Sequence, residues 1–348
     1  MFVQSLYQTF KRYRSLQTHT LSALPVVILM PHSACNCRCV MCDIWKDNKN
    51  LKQLTEADIA GLLISLKKLG TQQVLMSGGE ALLNPNFFLF CKLLHRQNIK
   101  VSLLSTGITL KKNAEQLVKN VNDIIVSLDG HERLHDEIRN IPGAYQKLKE
   151  GVSEIKKINP GFKITGRTVI HRLNFRSWIQ IIESAKEIGL SQISFLPADV
   201  SSHAFNRGVL WSDQRQHELL LTKEELPELT EITEQVIEKY GWHNEPGFIA
   251  ESPDKLRKIH GYYAAFYGLN SFPYKKCNAP WVSTVIEADG TVRPCFFHLP
   301  MGNIREQPLE EILNSDRSTL FRKELDMETN STCVKCVCYL NLSPGTKL

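Results

Sequence analysis

The chain has 348 residues, 43% of them hydrophobic, enough for one large α/β domain and a smaller one and unlike a disordered or fibrous protein. Its net charge of +6 comes from 42 Lys and Arg against 36 Asp and Glu, spread along the sequence apart from a small knot at Lys11, Arg12 and Arg14. Without a basic stripe interleaved with aromatics, so mild an excess reads as a solvated surface and argues against nucleic-acid binding.

Residues 1–23 are polar, dotted with aromatics and expected to be partly helical, packing as a lid or an N-terminal cap. The apolar run 24–30 imitates a secretory signal, but it is short, no small-residue cleavage site follows, and it runs straight into a cluster of cysteines. Nothing approaches the roughly 20 apolar residues of a membrane span. The expectation is a cytoplasmic protein with no membrane partner, whose ten cysteines are mostly metal ligands because disulfides do not persist there.

Residues 26–30 form a continuous, β-branched apolar run of the kind buried on both faces of a parallel sheet, and predict the first strand. Thr55-Glu56-Ala57-Asp58 then opens a helix in the manner of a capping box, with Ile59, Leu62, Leu63, Leu66 and Leu69 at helical spacing and a stop at Gly70. Strands at 73–77, 100–104, 123–128, 162–170 and 192–196 follow, with helices at 87–97, 110–119, 144–158 and 177–188 between them. Six strands alternating with helices imply parallel pairing by right-handed crossovers. The predicted fold is α/β, a partial or open (β/α)6 barrel over residues 20–205 after a 1–19 extension. Chemistry in such barrels collects at the C-terminal ends of the strands. Every polar motif is expected there: the cysteines after strand one, Gly78-Gly79-Glu80 after strand two, Ser105-Thr106 after strand three, and Ser127 with Asp129 around the end of strand four.

Cys35, Cys39 and Cys42 fall at the spacing Cys-x3-Cys-x2-Cys. Three thiolates from one loop hold three corners of a cubane iron–sulfur cluster and leave one iron without a protein ligand. A structural zinc site is the alternative for clustered cysteines. The loop resembles the signature of the radical S-adenosylmethionine (radical SAM) superfamily, with Met41 where the family commonly has an aromatic and an additional thiol, Cys37. The resemblance implies a [4Fe-4S] cluster whose open iron takes the amino and carboxylate groups of SAM. It gives Gly78, Gly79 and Glu80 to the SAM ammonium, and Ser127 and Arg139, in the Ser127-Leu128-Asp129-Gly130 to Arg139 stretch, to the SAM carboxylate. Ser105 and Thr106 stand where the family often contacts the ribose or methionine, although the usual Asn is missing. His131, His135 and His171 receive no role, and Cys91 reads as a buried core thiol.

Residues 206–270 resemble a helical insertion able to cover the barrel mouth. From 271 to 348 a second cysteine pattern appears: Cys277-x12-Gly290-x4-Cys295, then Cys333, Cys336 and Cys338. It resembles the SPASM and twitch auxiliary-cluster domains, with five cysteines favouring one additional iron–sulfur cluster; Cys338 is a spare or a substitute for Cys336, and a four-thiolate zinc site remains the alternative. The implied activity is reductive cleavage of SAM to a 5′-deoxyadenosyl radical that abstracts hydrogen from a peptide or small-molecule substrate, fed by a reductase or flavodoxin-type electron donor. Peptide modification ranks above oxidation or epimerisation of a sugar or other metabolite. The rival of a different class is a zinc-stabilised binding protein that catalyses nothing.

Overall fold

A computed structural model describes residues 2–240 and 247–348. Residue 1 of the expected extension and 241–246 of the expected insertion lie outside the described residues. Helix α1 (Phe2–Thr18) precedes β1 (Val26–Leu29); α2 (Glu56–Leu69), β2 (Gln73–Met76), α3 (Phe87–His95), β3 (Lys100–Ser105), α4 (Leu110–Asn120) and β4 (Asp123–Ser127) follow. Then come α5 (Glu132–Arg139), α6 (Ala144–Ile158), β5 (Ile164–Ile170), α7 (Trp178–Ile188) and β6 (Gln192–Pro197). Beyond these lie α8 (Asp213–His217), α9 (Leu226–Tyr240), α10 (Pro253–Ala265), α11 (Ala279–Val282), β7 (Ser283–Ile286), β8 (Thr291–Arg293) and β9 (Gly302–Asn303). Three short helices, α12 (Leu309–Asn314), α13 (Asp316–Glu324) and α14 (Ser331–Val334), finish the chain.

The sheet runs β6-β5-β4-β3-β2-β1-β7-β8-β9, parallel from β6 to β7 and antiparallel beyond, so the barrel is not closed. Local chemistry sets the elements as the sequence predicts. Thr55 and Asp58 make the reciprocal capping box of α2, which ends on Gly70 at φ 64°, a left-handed turn that glycine adopts without a Cβ clash. Along β5, Ile164, Gly166, Thr168 and Ile170 are buried while Thr165, Arg167 and Val169 are less so, the period of two that separates a helix-packed face from a lumen face. Helix α5 was not foreseen in the sequence.

Both flanking segments join the barrel. The C-terminal segment extends its sheet: β7 pairs with β1, Val26 opposite Ser283. Of the lid and the N-terminal cap expected for residues 1–23, helix α1 takes the cap's place: Arg12 donates to the carbonyls of Pro344 and Thr346 and to Gln72 Oε1, near the N-terminal start of β2. Helix α10 packs on β6, where Tyr263 Oη accepts from Ala198 N (2.9 Å) and donates to Ile170 O (2.5 Å). No helix among the described residues is long and apolar enough to cross a membrane.

Candidate active site

The loop after β1 is held from three sides. Asn48 clamps Cys35, accepting from its N–H at 3.0 Å and donating to its carbonyl at 2.9 Å. Arg38 N and Val40 N donate to the carbonyls of Arg139 and Ile138, both at 3.0 Å, so the loop satisfies the open C-terminal end of α5. From the segment after β6, Arg215 donates to Val40 O and Arg207 to Met41 O (3.4 Å), while Trp211 Nε1 donates to Asp43 Oδ2 (2.8 Å). Arg207 is itself buried, ion-paired with Asp199 at 2.7 Å and stacked on Trp211 at 3.8 Å. Sequence reasoning missed Arg207, Trp211 and Arg215, and with them Asp43, because no local pattern joins residues more than 160 apart; Asn48, 13 residues from Cys35, carries no spacing signal that sets it apart from other loop asparagines.

The thiols differ in charge. Cys39 is buried, accepts a hydrogen bond from Cys37 and faces Arg139, whose Nη1 lies 3.4 Å from its Sγ; together these hold Cys39 down to about 6. Burial pushes Cys35 and Cys42 up to about 12 and, with its bond to Cys39, keeps Cys37 protonated. Burial works against the charge of Arg139, but Asp129 and the thiols more than offset it, and its guanidinium stays protonated.

Gly78-Gly79-Glu80 docks on this loop. A Cβ on Gly79 would lie 2.1 Å from Ala34 O, and Glu80 N donates to the same carbonyl at 2.9 Å. Gly78 sits at φ 109°. Glu80 is fully buried and accepts from Ser105 Oγ (3.1 Å), Thr106 N (2.8 Å), Thr106 Oγ1 (2.7 Å) and Leu82 N (3.3 Å); burial raises its pKa against these donors. Ser105 and Thr106 thus organise the carboxylate. Asn36, between Cys35 and Cys37, accepts from Thr106 Oγ1 at Oδ1 (2.9 Å), and its buried Nδ2 has no hydrogen-bond partner among the described residues.

Asp129 and Arg139 form a buried ion pair, with Asp129 Oδ1 also accepting from Val169 N at 3.0 Å. Burial pushes the Asp129 pKa up. Arg139 Nε remains buried without a hydrogen-bond partner among the described residues. Ser127 ends β4, half-buried and opposite Arg167 of β5. Asp136 caps α6 by accepting from Gly143 N (2.5 Å) and Tyr145 N (2.8 Å). His135 and His171 are buried, which lowers them to about 3 with help from Arg139; each accepts a backbone N–H at Nδ1 and is neutral at pH 7. Cys91 is fully buried in the core.

The five tail cysteines converge. Cys277, Cys295, Cys333, Cys336 and Cys338 line one cavity of about 460 Å³ that opens into the barrel lumen at Val26, Ile28, Leu75 and Ile125. Gly290 turns the β7–β8 hairpin at φ 88°, bringing Cys295 back toward Cys277. Burial pushes Cys295 up to about 12 and Cys333 to about 11, and raises Cys336 and Cys338. His298, which the sequence did not single out, places Nε2 3.3 Å from Cys333 Sγ.

Comparison with known proteins follows the same division. The radical SAM superfamily model matches residues 29–194, and the SPASM iron-sulfur cluster-binding domain model matches 277–337. The AdoMet-dependent heme synthase of Methanosarcina barkeri is 26% identical over 314 residues, 85% of this chain and 83% of that protein. The cysteine-type anaerobic sulfatase-maturating enzyme of Clostridium novyi is 23% identical over 347 residues, 91% and 85% of the two chains. Among solved structures, Streptococcus suis SuiB bound to its precursor peptide SuiA superposes with a TM-score of 0.67 at 15% identity, covering 94% of this chain and 73% of that one. The enzyme anSMEcpe with bound AdoMet and Cp18Cys peptide gives 0.64 at 18% identity, covering 90% and 88%.

Proposed function

Because the chain belongs to the radical SAM superfamily and carries a SPASM domain behind its barrel, we propose that Cys35, Cys39 and Cys42 hold its [4Fe-4S] cluster with SAM beside it. The donor set fits. Three thiols come from one loop, one of them already near 6, and two buried donors, Asn36 Nδ2 and Arg139 Nε, have no acceptor among the described residues. The rim of Gly78, Gly79 and Glu80 takes the SAM ammonium, with Ser105 and Thr106 fixing the Glu80 carboxylate. Ser127 and the free Nε edge of Arg139 take the SAM carboxylate, while the Nη atoms of Arg139 hold Asp129 and Cys39. When bound, cluster and SAM supply one-electron reductive cleavage and hydrogen abstraction from a substrate carbon.

Cys277, Cys295, Cys333 and Cys336 or Cys338 hold one auxiliary iron–sulfur cluster in the same lumen. Modification of a peptide is the favoured outcome, supported by likeness over nearly the whole chain to proteins whose names speak of maturation, SkfB of Bacillus subtilis (22% identical over 329 residues) and the sulfatase-maturating enzyme. A small-molecule substrate is the second reading, supported by the apolar-walled lumen cavity and by the heme synthase. A reductase or flavodoxin-type protein supplies the electron. The observation that carries the proposal is the convergence of the three-thiol loop, Gly79 and Arg139 on one rim of the barrel. Anaerobically reconstituted protein is expected to hold about eight irons, and its reduced-cluster EPR signal to change on adding SAM. An unchanged signal removes the basis of the assignment.

A further inference from the structure

Arg167 stands on the lumen face of β5, opposite Ser127 of β4 and just below the rim. Its neighbours on the cavity wall include Leu104, Ile125 and Leu196. Its Nε is buried with no hydrogen-bond partner among the described residues. Arg167 as a whole is half-buried, but an Nε–H taken out of water without an acceptor carries a desolvation penalty that an acceptor oxygen arriving from outside relieves.

The rest of the wall adds positive charge. Lys255, Lys258 and Lys275 line the same cavity, and Glu251 is the carboxylate among its lining residues. Glu251 is already engaged, accepting from Ser194 Oγ (2.8 Å) and Phe195 N (2.9 Å) and lying 3.5 Å from Lys255. Lys258 and Lys275 donate to the carbonyls of Tyr274 (3.3 Å) and Val334 (3.2 Å), which satisfy a proton but cancel no charge. The tail thiols account for part of this field: Lys275 faces Cys333 and Cys336, and Cys338 feels both Arg167 and Lys255. Arg167 differs in projecting from the barrel wall instead of the tail.

We propose that the lumen binds an anionic group of the substrate, a carboxylate or a phosphate, with Arg167 as its anchor and Lys255 and Lys258 drawing it in. The planar fork of Arg matches either oxyanion with two parallel N–H donors, and the lysines act as point charges that steer it. An anion at Arg167 fixes one end of the substrate between the Ser127 rim and the tail thiols. The inference rests on the lumen being the substrate site, but its test does not depend on SAM cleavage.

Holoenzyme with both cysteine sets loaded and SAM saturating is titrated calorimetrically with glutarate, inorganic phosphate and the uncharged diamide glutaramide. Iron content and the auxiliary cluster's reduction potential are measured on the same samples. Glutarate or phosphate is expected to bind, more weakly at high salt, while glutaramide does not; R167Q weakens the anion at least tenfold and R167K less, with iron and potential unchanged. Preference for glutarate identifies a carboxylate on the substrate, and preference for phosphate a phosphorylated one. The proposal is overturned if neither anion binds with SAM present, if glutaramide binds as well as glutarate, or if R167Q leaves anion binding intact. A fall in iron or a shifted potential in R167Q would assign the residue to the tail's metal instead. SAM-induced EPR changes that persist in R167Q separate this failure from failure of the cluster assignment.

Discussion

The two cysteine sites share buried, protonated thiols and differ at Cys39 and in how their backbones are held. At the loop after β1, one thiol is held near 6 by Cys37 and Arg139, and the backbone is pinned by α5, Asn48 and the Arg207–Trp211–Arg215 stack. In the tail, burial pushes Cys295, Cys333, Cys336 and Cys338 upward, and the thiols ring an open cavity. Folding supplies one ready thiolate at the first site, Cys39, beside Cys35 and Cys42, which burial keeps protonated, and none among Cys295, Cys333, Cys336 and Cys338.

The sharpest break of this contrast is Cys39→Ala. It is expected to abolish 5′-deoxyadenosine formation and to remove about four irons per chain, leaving the tail's metal in place; loss of all iron would show the two sites to be one cooperative unit. Next, Arg139→Gln leaves Asp129 buried without its cation. A cost of about 3–5 kcal/mol in denaturant unfolding is expected, together with an upward move of the low-pH thiolate titration, read at 240 nm on metal-free protein. An unmoved titration would mean that Arg139 does not hold Cys39.

Gly79→Ala drives a methyl group into the Ala34 carbonyl, and a destabilisation of about 1–3 kcal/mol is expected with reduced iron in the first site alone. The buried histidines give the fold a pH limb. His135 and His171 sit at about 3 when folded and near 6.5 when unfolded, so stability is full above 6.5 and falls as pH drops toward 3. The slope is about 1.4 kcal/mol per pH unit for each histidine, measurable by urea unfolding at pH 7 and 5. A flat profile over that window would contradict their burial as neutral rings. The smallest effect belongs to Trp211→Phe, which removes the bond to Asp43. About 1 kcal/mol is expected, seen as faster iron loss to a chelator from the first site but not from the tail.

Much of this molecule is legible in its sequence because the signals are local. The apolar run at 26–30, the Thr55–Asp58 capping box and Gly70 each act within a few residues, and the strand and helix order they predict is the order observed. Cys35, Cys39 and Cys42 are legible for the same reason, since one loop carries all three. Helix α5 was missed because Glu132–Arg139 is strongly polar, and its support is tertiary: it packs on α6, buries His135 and Ile138, and the cysteine loop closes its C-terminal end. The zinc-stabilised binding protein drops out once the chain is placed in its family.

The sequence by itself determined the alternation of strands and helices, the three-thiol loop and the second cysteine set, because periodicity, caps and short spacings are properties of neighbouring residues. Only the tertiary structure decided that Gly79 is a glycine for the sake of Ala34, that Ser105 and Thr106 serve Glu80, and that Arg207 and Trp211 seat the loop. It also set Arg167 on the wall of a cavity that five thiols more than a hundred residues further along also line. Buried charges and close backbone approaches are contacts between distant segments, and their partners exist only once the sheet has brought those segments together.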